Sequence, residues 1–308
     1  MFDLFNQQPT FEKKYGTQPL PKSPFTFAEI HANIGGMRLA FEQLGCQSVW
    51  AYEKERFAKL TYTTNFNQKS NANIAKPETL EDINILTAQL QPTLGDFQAF
   101  AKILKTKNNI AFLIETNKNL FSNKSKLWQN IQTELTRCNF DVFYTVLDAA
   151  KFGVPQYRKS LYIVGFRCDY LSTRPPFLFP KGQAKKVYIK DILEEKVTGY
   201  AVSEHFQEFH LFHNESAQIV DNQSKIIAKP LVSSYHKVQP LVGTFVKDGE
   251  TGVRLLSENE CKSLMGFHRD FMFPVSRTQM YQELGRSVVV NVVEAIGKEI
   301  LKIIDSPD

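Results

Sequence analysis

The turn His31-Ala32-Asn33-Ile34-Gly35-Gly36 lies between an apolar segment and an amphipathic one. Glycines there let backbone approach a ligand, and the N-terminus of a following helix offers free N–H groups. Glu53 stands about 20 residues further on, at the end of the next strand-like run. An acid so placed can accept from both ribose hydroxyls of a nucleoside cofactor; it can equally be a solvated carboxylate. The four cysteines, Cys46, Cys138, Cys168 and Cys261, are scattered with no Cys-x-x-Cys pair. That spacing argues against a zinc site or a disulfide framework and fits free, packed thiols. Further along, Tyr200, His205, Phe206, Phe209, His210, Phe212 and His213 form an aromatic and histidine-rich stretch. It suits a core, a protein interface or contacts to bases, with core expected for most of these residues.

These groups need a scaffold, and the 308 residues, 43% hydrophobic and 22% charged, have the composition of a folded chain. The apolar run FTFAEI, the turn, and the amphipathic MRLAFEQLG read as strand, loop and helix. SVWAYEK with ERFAKLTYTTNF repeats the unit, and helical DFQAFAKILK leads into the buried-strand run Ile110–Ile114. Such alternation predicts a parallel sheet, extended by a helix around Leu127–Cys138 and strands DVFYTVL and LYIVGF. Beyond Asp169 the chain turns to Pro-rich turns and short strands until about Gly252, then returns to helical patterning in SENECKSLMGF and SVVVNVVEAIGKEILKII. No apolar run approaches the ~18–20 residues that cross a bilayer, and the N-terminal residues lack the pattern of a cleaved signal. A cytoplasmic protein with no membrane partner is the expectation. The net charge of +5 is concentrated, with eleven Lys/Arg against five Asp/Glu in residues 101–170 and ten against nine in 171–250. A polyanion should therefore favour the first of these segments.

Six segments together resemble the bacterial DNA cytosine-5 methyltransferases. FTFAEIHANIGGMRLAFEQLG is similar to that family's opening cofactor loop, VWAYEKERFAKLTYTTNF to its second strand and helix, and LDAAKFGVPQYRKSLYIVGFR to its Gly-x-Pro-Gln-x-Arg segment. VRLLSENECKSLMGF and QELGRSVVVNVVEAI resemble the Arg-x-Leu-Thr segment and the Gly-Asn-Ser-Val helix, and FLFPKGQAKKVYIKDILEE the start of the target-recognition region. The likeness runs in order from Pro24 to Ile304. It implies a doubly wound, Rossmann-like α/β methyltransferase sheet with a second, smaller, irregular target-recognition-like domain. The expected bounds are an arm at 1–24, a methyltransferase-like domain at 25–169 plus 253–308, and the small domain at 170–252. The implied cofactor is S-adenosylmethionine, held by His31, Ile34, Gly35, Gly36, Glu53, Asp82, Ile83, Ser287 and Val288. His31, Asn33 and Arg286 stand where the family has phenylalanine, glycine and asparagine.

In that family a thiolate attacks C6 of a flipped-out cytosine, an acid protonates N3 and an arginine holds the O2 edge, which makes C5 nucleophilic. Glu115, in Glu115-Thr116-Asn117, matches the acid, and Arg158 matches the first arginine of the Arg-x-Arg pair. The second is Ser160, and a hydroxyl does not replace a guanidinium fork. The Pro-Cys loop should lie between Glu81-Asp82-Ile83 and Glu115, yet those residues include no cysteine, and Gln89-Leu90-Gln91-Pro92 is the local counterpart. Such groups act as a unit, so Glu115 and Arg158 are expected to be retained without a catalytic task. The resemblance then implies a catalytically deficient homologue acting as a non-catalytic partner of an active methyltransferase or a restriction component. Two alternatives stand beside it: an active enzyme whose catalytic loop comes from a partner chain, and a DNA-binding module that blocks modification. With ten positive and nine negative groups in residues 171–250, double-stranded DNA is expected to bind weakly to the chain alone.

Overall fold

A computed structural model of the chain describes residues 23–67, 83–106, 108–122, 126–171, 176–183, 185–212, 215–249 and 251–306. The expected N-terminal arm lies outside them apart from its last two residues, and Asp82 and His213 also lie outside. The chain alternates through β1 (Thr26–Ile30), α1 (Gly36–Gln43), β2 (Gln47–Tyr52), α2 (Arg56–Phe66), β3 (Ile85–Gln89), α3 (Leu94–Thr106) and β4 (Ala111–Asn117). Then come α4 (Lys126–Thr136), β5 (Phe140–Asp148) and β6 (Lys159–Arg167), which complete a six-stranded sheet in the order β2-β1-β3-β4-β6-β5. β1 pairs in parallel with both β2 and β3, so the winding reverses at β1 and opens a crevice beyond the strand ends.

The expectation of a parallel sheet needs one correction. β6 runs antiparallel to both β4 and β5, because β5 reaches it through a short connection around residues 149–158 rather than a crossover helix.

Both faces of the sheet are covered, which explains why its central strands read as unbroken apolar runs. One face packs Phe97, Phe100 and Leu104 of α3 and Ile131 and Leu135 of α4 against Leu86, Phe112 and Ile163. The other packs α1 and the late helices α5 (Glu258–Met265), α6 (Arg277–Arg286) and α7 (Val290–Ile304) against Phe27, Leu113 and Val164. α7 buries Val292, Val293, Ile296, Ile300 and Ile303, an apolar stripe whose burial contributes about 1.5–3 kcal/mol per side chain. Gly297 is required where α7 meets α1, since a Cβ there would lie 2.7 Å from Leu44 Cδ1.

The second region carries a small sheet of β7 (Gln218–Val220), β8 (Thr244–Asp248) and β9 (Gly252–Arg254). β9 carries this sheet to Arg254, just across the expected boundary at 252–253. There the buried Arg254 meets Glu260 of α5 at 2.8 Å, while Ser257 and Glu260 form a reciprocal capping box that starts the helix. In the aromatic stretch, Phe206 packs partly against the core and Phe212 is exposed.

Candidate functional site at the carboxyl ends of the strands

The turn 31–36 leaves β1 with His31, Asn33 and Gly35 in the left-handed region, at φ 53°, 51° and 88°. Asparagine is among the few residues besides glycine that visit this region readily, so Asn33 preserves the turn. The Asn33 amide donates to Glu53 Oε2 at 2.8 Å, and the amides of Lys54 and Glu55 donate to Oε1 at 2.8 Å. Those three bonds fix Glu53 at the end of β2, only 6% exposed, with acceptor capacity still free on Oε2. His31 packs edge-on against Tyr52 with ring centroids 5.5 Å apart. Burial lowers its pKa, and the nearby Glu53 carboxylate partly opposes this.

Gly35 and Gly36 are needed by their neighbours. A Cβ on Gly35 would strike the Phe66 ring at 2.2 Å, and one on Gly36 would lie 2.8 Å from both Ser287 Oγ and Val288 Cγ2. Ser287 and Val288, just after α6, are thereby brought against the turn from more than two hundred residues away. Ser287 Oγ is buried and has no hydrogen-bond partner. Ile34 is also fully buried beneath the turn.

Ile83 does not join this group. It precedes β3 at the amino end of the parallel strands, its carbonyl accepts from Asn109, and its side chain packs in the core beneath α3. Five residue-to-residue steps of extended chain lead from it to Ala88, about 16 Å along the sheet to the carboxyl edge where Glu53 sits. The Glu81-Asp82-Ile83 expectation assigned a cofactor flank to the wrong end of the strand where Ile83 is concerned.

Gln89, at the last position of β3, takes a central place that the sequence reading gave it only as part of a substituted loop. Its Oε1 accepts from the Asn33 side chain at 3.4 Å and its Nε2 donates to the Arg286 carbonyl. Glu115, on β4, stands opposite Gln89 in the parallel register of β3 and β4. Burial raises the Glu115 pKa, against the opposing pull of Arg158, Ser160 and Gln89. The available signal was a polar residue ending an otherwise buried run, Ile85-Leu86-Thr87-Ala88.

After Gln89 the chain reaches α3 through Leu90, Gln91, Pro92 and Thr93 alone. Leu90 N donates to the Glu115 carbonyl at 3.0 Å, while Thr93 Oγ1 donates to Asp96 at 2.7 Å and accepts from its amide at 3.3 Å. This is a closed, capped connection.

Arg158 spends its guanidinium on main-chain carbonyls. It donates to Leu231 O at 2.8 Å, Gly285 O at 3.2 Å and Ser287 O at 2.9 Å, and so ties the second region to the end of α6. Gln156 reinforces the junction by accepting from Leu231 N and donating to the Leu264 carbonyl. Thr116 Oγ1 is buried without a partner, and Asn117 caps the turn that follows through Asn119 N. The cysteines lie away from this cluster. Cys46, Cys138 and Cys261 are buried, and burial pushes the Cys46 thiol up to about 11, unsuited to a thiolate at neutral pH.

A doubly wound sheet with a left-handed turn after β1 and an acid ending β2 is the arrangement of the α/β proteins that bind nucleoside cofactors. Solved structures with this fold include the Dnmt2 methyltransferase of S. pombe, at a TM-score of 0.74 and 20% identity over 90% of this chain and 98% of that one. The Entamoeba histolytica methyltransferase EhMeth aligns at a TM-score of 0.73 and 19% identity, over 91% and 99% of the two chains. The profile of the C-5 cytosine-specific DNA methylase family matches residues 25–89 and 94–302, and the chain belongs to that family. It is 40% identical to the type II methyltransferase M.MspI of Moraxella sp. over 90% of this chain and 71% of the relative. Against M.BsuFI of Bacillus subtilis the identity is 41%, over 88% and 71%. The two matched stretches are separated by residues 90–93, the connection that closes β3 onto α3.

The residues present fit S-adenosylmethionine. The turn retains its left-handed geometry, Glu53 is pinned at the strand end, and the orphaned Ser287 hydroxyl beside Gly36 awaits a polar ligand. No described helix is long and apolar enough to cross a membrane.

Proposed function

We propose that this chain is a catalytically deficient relative of the DNA cytosine-5 methyltransferases, a non-catalytic partner in DNA methylation or restriction-modification. The observation that carries the reading is the four-residue connection Leu90–Thr93, capped at Thr93 and Asp96, which holds no thiol. Glu53, Ser287 and the turn 31–36 would hold S-adenosylmethionine, whose sulfonium supplies an electrophilic methyl group when bound. Using that group requires an electron-rich C5, and without a thiolate adding to C6 the cytosine ring stays unactivated. Glu115 could hold a proton for N3, but Ser160 has no guanidinium with which to grip a base, and the Arg158 guanidinium is committed to three carbonyls. These residues thus support a folded scaffold that has kept a cofactor pocket and lost its covalent chemistry.

The buried Glu115, its pKa raised, favours one second reading: a partner chain supplies the missing loop and thiol to an acid already in place. Bisulfite sequencing of DNA from a host lacking cytosine methylation separates the two. Expression of this chain alone should leave cytosines unmodified, and site-specific 5-methylcytosine under those conditions refutes the deficiency. Co-expression with candidate methyltransferases then reads complementation as modification that neither chain gives alone.

A further inference from the structure

A cavity of about 430 Å³ opens at the carboxyl end of β5, lined among others by Lys151, Lys159, Lys181, Asp148, Phe152 and Phe179. Its lining includes neither the turn 31–36 nor Glu53, Gln89, Glu115 or Ser287. Three stretches of sequence build it, the end of β5 with the turn after it, the start of β6, and Phe179–Lys181. Lys159 starts β6 opposite Asp148 of β5, and Lys151 ends the helical turn that follows β5. Lys181 is brought in by the next segment, where Gln183 N donates to the Lys151 carbonyl at 2.7 Å. Gly182 makes that approach possible, since its φ is 78° and a Cβ would stand 2.7 Å from the same carbonyl.

The electrostatics are one-sided. Among the described residues no carboxylate forms an ion pair with any of the three lysines. Asp148, the one acid in the lining, has Oδ1 engaged by Ala150 N at 3.2 Å. Three ammonium groups against one carboxylate leave a net positive cavity, and the buried Phe152 and part-buried Phe179 give it apolar walls. Such walls focus the field and strengthen attraction for an anion. Lys151 and Lys159 also belong to residues 101–170, the segment with the excess of positive charge.

We propose that this cavity is a phosphate-binding site, taking phosphate oxygens between Lys151, Lys159 and Lys181. Its ligand is a phosphodiester of a DNA backbone or a free phosphate compound. The DNA source rests on the family's action on DNA, whereas the site itself does not depend on methyl transfer.

Two titrations of the full-length protein test it: inorganic pyrophosphate followed by calorimetry, and a labelled duplex followed by anisotropy at several salt concentrations. Lys151→Ala, Lys159→Ala and Lys181→Ala are compared singly and together. All three side chains are exposed, so the variants should fold, and unfolding midpoints check this. The control is Lys298→Ala with Lys302→Ala, which removes charge from surface ion pairs of α7. With a duplex ligand each single change should lower the salt slope by about 1, and the triple variant should weaken binding by at least about tenfold. A response to pyrophosphate alone identifies a free phosphate compound, and that outcome holds whether or not the chain methylates DNA. The proposal is overturned if the triple variant matches wild type in both titrations, or if the α7 control loses as much.

Discussion

Gln89 donates its side-chain amide to the main-chain carbonyl of Arg286, joining the end of β3 to the end of α6 across the mouth of the candidate site. The same carboxamide accepts from Asn33, and Gln89 stands opposite Glu115 in the parallel register of β3 and β4, so one residue joins the cofactor turn to the strand that carries the acid.

Replacing Gln89 with alanine should leave the Arg286 carbonyl and the Asn33 amide without this partner. We expect a loss of about 0.5–1.5 kcal/mol in urea denaturation, the usual net contribution of a hydrogen bond. On the proposed reading this variant, like the parent chain, should give no methyl transfer, because a wider pocket supplies no thiolate. Unchanged stability would show that the bridge is not formed in solution.

Asn33 holds a left-handed conformation whose amide is also the donor to Glu53. Asn33→Gly keeps that conformation accessible and should alter stability by less than about 1 kcal/mol. Asn33→Val, branched at Cβ, should cost about 1–3 kcal/mol and weaken S-adenosylmethionine binding in calorimetry. Equal behaviour of the two variants would mean that φ at this position is not constrained.

Glu29 gives the fold a pH dependence. It is buried within β1, accepts from Tyr62 Oη at 2.8 Å, and leaves Oε1 without a partner. Burial raises its pKa to about 7, despite the opposing effect of Arg38. Because the folded pKa lies above that of the unfolded chain, the folded state binds the proton more tightly. Its contribution is therefore complete below about pH 4.5 and is lost as pH rises through about 7, an effect of roughly 3 kcal/mol. Denaturation from pH 5 to 8 should show that decline superimposed on other titrations. Glu29→Gln should reduce it and be the more stable protein at pH 8; parallel curves for the two proteins would mean that Glu29 ionises normally.

Local patterns in the sequence determined much of this molecule. Apolar runs separated by amphipathic stretches specify strands and helices through their different periods, and the His31–Gly36 turn with Glu53 marks the crevice at the strand ends. The absence of a cysteine from residues 83–115 is equally legible. Direction and destination are another matter. The antiparallel β6, the displacement of Ile83 to the far end of its strand, and the commitment of Arg158 to Leu231, Gly285 and Ser287 depend on partners distant in sequence. So does the gathering of Lys151, Lys159 and Lys181 around one cavity. Periodicity reports which face of an element is apolar. Which elements meet, and which hydrogen bonds a polar side chain makes there, are decided only when long-range packing closes the chain on itself.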